Sequence, residues 1–396
     1  MMHTTSHNPP ATSISAIAWT SIIAIGSTGA FMIIAMPGVL LALSDKIHLS
    51  AGGAARIATS ELFGMLISTL LLGQLLATQH RKVVVAIALF LLCLGNIVSI
   101  FLMHSSWLFT ARIVCGLGEG LTLAAMGAAA AAVPNPDRLF AAYMASNLVV
   151  VTVFLSGLSR IIAFGGLTLM FLILGAVGLV GIAALPAFPG LAASGRPQAG
   201  NLASSFLSAV TNRSAVIGLI ASLIFCTGIG VVWPLMGQIG ISRAIPSGSI
   251  ASALGLAPIG GVAAGVCATL LGLRIGRRLP LIVGGAALIL TMTILAADGW
   301  TFAACAVSFM FWWVFVTAFF MGTIASADPT GRAGVLIPAT QQGGLAAGPI
   351  LGALLAGSGS FALPIAVGTT ACLVGLFLAI YSDSLTKAYS RHLQPS

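Results

Sequence analysis

Acidic residues are scarce in this chain, which has seven Asp and Glu among 396 residues. Charged residues make up 6% of it, hydrophobic residues 59%, and the mean hydropathy of +1.12 is far above that of soluble proteins. This composition excludes an ordinary soluble domain. The uncharged runs exceed the about 20 apolar residues that a spanning helix needs. They predict a multi-pass, all-α integral membrane protein.

Other absences narrow the class of function. No Cys/His spacing fits a metal site, and all six cysteines fall within predicted spans, so we expect no disulfide, metal or cofactor. The six histidines are scattered over tails and loops, which argues against a membrane-embedded enzyme. Charged rings and a repeated filter motif are missing, which disfavours a channel.

The formal net charge of +9 does not indicate nucleic-acid binding, because the basic residues lie in short loops. With both termini cytoplasmic, eleven Lys and Arg fall on the inside and four on the outside. That bias follows the positive-inside rule. We therefore predict a monomer in the lipid bilayer of a bacterial inner membrane, with both termini cytoplasmic.

Twelve spans are predicted from the apolar runs. They begin near Ile14, Ile57, Val83, Trp107, Leu139, Gly165, Ala215, Ile250, Leu281, Thr301, Ala333 and Phe361. The longest polar-leaning interval, rich in Gly, Ala and Ser, separates six spans from six. We predict an N-terminal six-helix domain over 1–188, a cytoplasmic linker over 189–214 and a C-terminal six-helix domain over 215–396.

Short motifs recur between the two halves at a nearly constant distance. Residues 27–29, followed by Pro37, match residues 226–228, followed by Pro234. The basic segment 80–82 matches 276–278, and the turn at 135–138 matches 328–332. The offsets of 199, 196 and 193 residues indicate an internal duplication.

The chain resembles the major facilitator superfamily over essentially its whole length. The family's loop between spans 2 and 3 reads G-x-L-a-D-R-x-G-R-K. This chain keeps its first glycine, Gly73, and its final basic pair, with Ala77 at the Asp position and His80 at the inner Gly position. The second half keeps R-x-G-R-R, with Leu273 at the Asp position. The resemblance implies gating-loop roles for Arg81, Lys82, Arg274, Arg277 and Arg278.

Two further motifs carry the resemblance. Arg112-Ile-Val-Cys-Gly116 fits the R-x-x-q-G pattern of span 4. The antiporter sequence G-x-x-x-G-P-x-x-G, which relatives carry in span 5, is found here in span 11, from Gly344 to Gly352. The resemblance implies two pseudo-symmetric six-helix domains around a central cavity lined by spans 1, 4, 7 and 10.

Three ionisable residues lie within predicted spans. Arg112 should lie roughly 7 Å deep and Glu119 about 18 Å deep, on one face of span 4. Glu61 of span 2 lies near the depth of Arg112, so an ion pair between them is open, with a structural or a functional role. An intramembrane acid is a functional-site hypothesis by default. We predict that Glu119 and Glu61 couple proton movement, the alternative for Glu119 being a permanently protonated packing residue.

Aromatic and polar side chains in the spans supply the candidate solute contacts. Span 10 is rich in Phe and Trp, and its tryptophans lie too deep for an interfacial belt. Packing against lipid or other helices is the alternative for many of these side chains. The predicted substrate-binding residues are Arg112, Glu119, Thr28, Asn147, Trp233, Trp312, Trp313, Phe315, Gln341 and Gln342.

The sequence thus predicts a secondary active transporter that moves a small organic solute by alternating access, and not an enzyme. The first hypothesis is proton-coupled efflux of an amphipathic or aromatic compound. The alternative is proton symport of an organic anion paired with Arg112. A membrane-embedded enzyme is the remote alternative. Expected partners are the solute, protons and the bilayer.

Overall fold

The structure is a computed structural model that describes residues 15–77, 80–130, 136–190, 212–272, 274–297, 302–328, 332–356 and 360–392. Nearly all of these residues are helical, and none of them forms a strand. The helices are α1 (Ala16–Ile47), α2 (Ala51–Ile67), α3 (Arg81–Leu102), α4 (Leu108–Ala130), α5 (Pro136–Ala184), α6 (Arg213–Val232), α7 (Met236–Ser242), α8 (Ser247–Leu271), α9 (Arg278–Ala297), α10 (Phe302–Ala327), α11 (Arg332–Ala356) and α12 (Ala362–His392). Short π and 3₁₀ turns, Ser68–Leu72 and Gly73–Ala77, extend α2.

Ten helices among the described residues are long and apolar enough to cross a membrane. One of them, α5, has 49 residues and is broken at Gly166, whose φ of 61° is accessible to glycine at little steric cost. The break divides α5 into two crossings, 136–165 and 167–184. With α11 added, the described residues contain twelve long helical segments, which matches the predicted number of spans.

Polar residues before several helices explain where those helices begin. Ser15, Ser50 and Asn212 each accept a hydrogen bond from a backbone N–H in the first turn of α1, α2 and α6. Such caps satisfy donors that the helix leaves unpaired. An α-helix pairs most of its backbone groups internally, as an apolar surrounding requires.

The helix starts repeat along the chain. The first residues of α6, α8, α9, α10 and α11 lie between 194 and 197 positions after the first residues of α1, α2, α3, α4 and α5, respectively. In the first half α1 packs on α5, and α4 packs on α2 and α3. In the second half α6 packs on α11 and α12, and α8 on α10. The duplication inferred from short motifs is therefore a repeat of whole helices. The predicted linker lies mostly outside the described residues.

The two halves contact each other chiefly through α5 against α8 and α2 against α11. Burial is complete toward one end of the bundle: residues 34–43 of α1 and residues 228–240 of α6 and α7 are all buried. Toward the opposite end α1 exposes Ile17, and the first half of α6 exposes Ile220. The halves are thus closed together at the end where α1 finishes.

Candidate functional site

An ion pair lies inside the first half, between α4 and α2. Arg112 is 1% exposed and Glu61 is fully buried. The guanidinium donates from Nε to Glu61 Oε2 at 3.2 Å and from Nη2 to Glu61 Oε1. Such a two-pronged arrangement is the strong form of an Arg–carboxylate pair. The contact that the predicted depths left open is therefore made.

The remaining donors of Arg112 are used within the same half. Its Nη1 donates to Asn96 Oδ1 at 3.0 Å and to Ser99 Oγ at 3.4 Å, both on α3. The guanidinium also lies 5.8 Å from the ring centroid of Phe171 in α5. In this conformation no face of Arg112 is available to a solute between the halves.

Glu119 completes this cluster two helical turns beyond Arg112. It is 1% exposed, and its carboxyl lies close enough to that of Glu61 for the two groups to interact electrostatically. A hydrogen bond between two carboxyl groups requires a proton, so one guanidinium and two carboxyls form a neutral cluster when they share one proton. The second oxygen, Oε2, has no hydrogen-bond partner among the described residues.

Glycines of α4 bring the neighbouring helices close enough to build the cluster. A Cβ on Gly116 would overlap the backbone carbonyl of Glu61, and one on Gly118 would overlap that of Ala88 on α3. Small residues allow this approach of helix backbones. The position of Glu61 beside Arg112 therefore depends on the glycine at residue 116.

A second constellation lies at the closed end, where the halves meet. Trp233 is fully buried in the break between α6 and α7, and its Nε1 donates to the carbonyl of Ile33 in α1 at 3.0 Å. Its ring stacks on Phe309 at 5.9 Å and contacts Trp313 at 6.1 Å, both on α10. Trp233 and Trp313 therefore meet, in a sealed interface between the halves.

The other predicted aromatic residues do not join this cluster. Trp312 lines an open groove of about 580 Å³ on the surface of the helix bundle, between α8 and α10, together with Phe311 and Leu256. Phe315 packs among Phe311, Trp312 and Phe319 on the same side of α10. Neighbouring residues of a helix project about 100° apart, so Trp312 and Trp313 cannot face one partner.

The predicted polar residues occupy separate places. Thr28 shares a small cavity with Glu119. Asn147 and Gln342 are buried, on α5 and α11, and their side-chain oxygens have no partner among the described residues. Gln341 is half-buried. The structure thus brings Glu61, Arg112, Glu119 and Thr28 together. Asn147 on α5 and the two glutamines on α11 are not part of this group.

The predicted gating residues mostly bind within their own halves. Arg81 donates to Ala125 O of α4 at 3.3 Å, and Lys82 donates to Pro186 O beyond α5 at 2.8 Å. In the second half Arg277 lies over Gly322 of α10. Arg278 donates to Ser384 Oγ of α12 at 3.1 Å, whereas Arg274 is exposed. The basic pairs therefore lie between the start of one helix and neighbouring segments of the same half.

Some functional residues were missed from the sequence. Asn96 and Ser99 orient Arg112, and their polarity inside an apolar span was a signal for them. Two side-chain bonds across the closed end were missed as well. Gln238 Nε2 donates to Ser44 Oγ at 2.5 Å, and Ser247 Oγ donates to Asp45 Oδ1 at 3.1 Å.

Comparison with known proteins agrees with this architecture. The family model of the Major Facilitator Superfamily matches residues 21–337. The chain belongs to the major facilitator superfamily. The family resemblance inferred from the motifs and the predicted fold class are both confirmed. Membership of this family indicates a transporter rather than an enzyme. A search of curated proteins finds no match.

Solved structures share the fold at low sequence identity. One is FucP, a Major Facilitator Superfamily transporter in the outward conformation, with a TM-score of 0.65 and 17% identity. A second is a variant of the E. coli fucose:proton symporter FucP, with a TM-score of 0.65 and 15% identity. Each match covers 93% of this chain and 99% of the other.

Proposed function

We propose that this superfamily member is a proton-coupled transporter that exports a small amphipathic organic solute by alternating access. The observation that carries proton coupling is the buried cluster of Glu61, Arg112 and Glu119. It joins two carboxyls to one guanidinium, so a single proton changes its net charge between neutral and negative. A charge change inside an apolar domain can change the free-energy difference between two conformations of the protein by several kcal/mol.

The similarity to FucP, which is described as a fucose:proton symporter, supports proton coupling and leaves the direction open. Export is supported by the antiporter-like sequence of α11, which ends at Gly352. An aromatic solute is supported by Trp233, Phe309 and Trp313, whose rings would line the path once the closed end opens. Symport of an anion held by Arg112 has no such support, because the guanidinium is buried and already donates to Glu61, Asn96 and Ser99.

We also propose that the termini are cytoplasmic, as the distribution of basic residues predicts. On this orientation the closed end would face outward, as in an inward-facing state. Cysteine labelling of residues 274–278 from the inside but not from the outside supports this orientation, and the reverse pattern overturns it.

The test of the function uses purified protein in proteoliposomes. A thermal-shift screen first selects an aromatic amphipathic ligand, because a ligand that binds only the folded state raises its stability. A pH gradient should then drive accumulation of that ligand by wild-type protein. Glu119→Gln should still exchange the ligand but should lose accumulation.

Asp383→Asn provides the matched control, since it replaces a carboxyl by an amide in α12, where Asp383 forms an ion pair with Lys387. This variant should keep coupled transport. Proton movement opposite to the ligand indicates antiport, and movement in the same direction indicates symport. Undiminished accumulation by Glu119→Gln would refute the assignment of the proton to this cluster.

A further inference from the structure

A small cavity lies inside the first half, between α1, α3, α4 and the second part of α5. Its volume is about 10 Å³, near the least that accommodates one water molecule. Three polar side chains line it, those of Thr28, Asn96 and Glu119, and apolar side chains including Leu174 and Val177 close it. It is separate from the contact between the halves.

The hydrogen-bonding capacity of the three polar side chains is only partly used. Glu119 Oε2 is buried and unpartnered among the described residues. Thr28 Oγ1 donates to Ile25 O at 2.7 Å, which leaves its oxygen free to accept. Asn96 Nδ2 donates to Leu92 O at 2.9 Å, which leaves its second N–H. A molecule in the cavity could therefore accept a hydrogen bond from Asn96 and donate hydrogen bonds to the oxygens of Thr28 and Glu119.

We propose that this cavity binds a single water molecule, which hydrogen-bonds Glu119, Thr28 and Asn96 and exchanges the proton of Glu119. The proposal rests on the proposed role of Glu119 as the proton site, and it adds the ligand through which that proton moves. A buried water typically makes two to four hydrogen bonds, which these side chains supply.

A metal cation fits the cavity poorly. Such an ion requires about six oxygen ligands, whereas most of this lining is apolar, and Asn96 Oδ1 already accepts from Arg112. The ionisable groups around the cavity are Glu61 of α2, Arg112 and Cys115 of α4, and Cys93 of α3. The facing parts of α1 and α5 contribute none. The Glu119 carboxyl is therefore the group that would exchange a proton with a bound water, which gives up one of its own protons as it takes that of the carboxyl.

The site brings this proton to α1. Thr28 lies five residues before Ile33, about 7.5 Å along the helix axis. The carbonyl of Ile33 is the group that Trp233 binds across the halves. Proton exchange at Glu119 would therefore occur against the helix that holds the closed end together.

Infrared spectroscopy of the purified protein tests the water site. The stretch of a protonated Glu119 carboxyl is assigned as the band that Glu119→Gln removes. Its rate of exchange after transfer into D₂O is then compared between variants. Val177→Ile adds one methylene beside the cavity, and Thr28→Val removes the hydroxyl at constant size. Each should slow the exchange about tenfold, the effect of losing about one hydrogen bond from the route.

The matched control is Val180→Ile, the same change at a residue that is 61% exposed on the same helix; its exchange should equal that of wild type. Wild-type exchange rates in both Val177→Ile and Thr28→Val would overturn the water site while leaving Glu119 as the proton site. If no band disappears in Glu119→Gln, both the water site and the proposed proton site fail.

Discussion

The indole of Trp233 binds a backbone carbonyl that Pro37 leaves free. In a helix the carbonyl of residue 33 accepts from the N–H of residue 37, and proline has no such group. Pro37 lies inside the continuous helix α1, so the carbonyl of Ile33 lacks its usual partner. Trp233 Nε1 supplies the donor from the other half at 3.0 Å. Trp233 thus supplies the donor that Pro37, almost 200 positions earlier in the chain, lacks.

Replacement of Trp233 by Phe should therefore open the closed end. The ring would still stack on Phe309, but the carbonyl of Ile33 would be buried without a donor, at a cost of about 1–3 kcal/mol. We expect the reactivity of a cysteine introduced at Ser44 to rise by about tenfold, which corresponds to about 1.4 kcal/mol. Trp107→Phe, at a residue that is 63% exposed, is the control and should leave that reactivity unchanged.

Pro37→Ala should lower the cost of losing the indole. Alanine restores the backbone N–H, so the carbonyl of Ile33 gains a partner within α1 and no longer depends on Trp233. A double-mutant cycle of cysteine reactivity should then show a coupling energy between residues 37 and 233 of about 1 kcal/mol. Strictly additive effects of the two changes would contradict the shared requirement.

The other bonds across the closed end provide a direct measure of closure. Cysteines in place of Ser44 and Gln238, whose side chains are hydrogen-bonded, should cross-link readily in a Cys267→Ser background. A control pair at Ile17 and Ile220, both exposed near the helix starts, should not cross-link. A ligand that favours opening of this end should slow cross-linking of the first pair. Efficient cross-linking of the control pair alone would mean that the opposite end is the closed one in solution.

Much of the fold was predictable from the sequence, because a spanning helix must be long and apolar and must pair its backbone N–H and C=O groups within itself. The predicted starts of the spans lie within three residues of the observed helices, even at the break near Gly166, except that span 2 was predicted near Ile57 and begins at Ala51. The sequence left the contact of Glu61 with Arg112 open, because both residues lie near one depth of the membrane, and the structure makes this contact.

The remainder depends on contacts that no local pattern specifies. The break after Val232 and the meeting of Trp233 with Ile33 require the two halves to be in one particular relative position. The partners of Arg112 on α3 depend on the rotation of that helix about its axis. The face of α10 that turns toward Trp233 is likewise fixed by packing, although the helical period alone separates Trp312 from Trp313.

The glycine at residue 116 should be required for the ion pair. A Cβ there would overlap the carbonyl of Glu61, so Gly116→Ala should push α2 away and lower the unfolding temperature. Gly127→Ala is the matched control on the same helix, because a Cβ there meets no atom within 4 Å. The control should stabilise the protein by about 0.5–1 kcal/mol, as alanine favours helices. Equal effects of the two changes would show that α2 and α4 pack less closely than described.

Loss of Glu61 should destabilise the protein, and removal of Arg112 as well should restore part of the loss. Glu61→Gln leaves a buried guanidinium without its carboxylate partner, and breaking such a pair costs about 3–5 kcal/mol. Glu119, the nearest carboxyl, would then ionise to balance Arg112 and would no longer carry an exchangeable proton. The infrared band of its protonated carboxyl should therefore disappear in this variant. The double variant Glu61→Gln with Arg112→Gln removes both charges, so the unfolding temperature should rise again and the band should return. A Glu61→Gln protein that is as stable as wild type and keeps the Glu119 band would show that Arg112 is neutralised by another group.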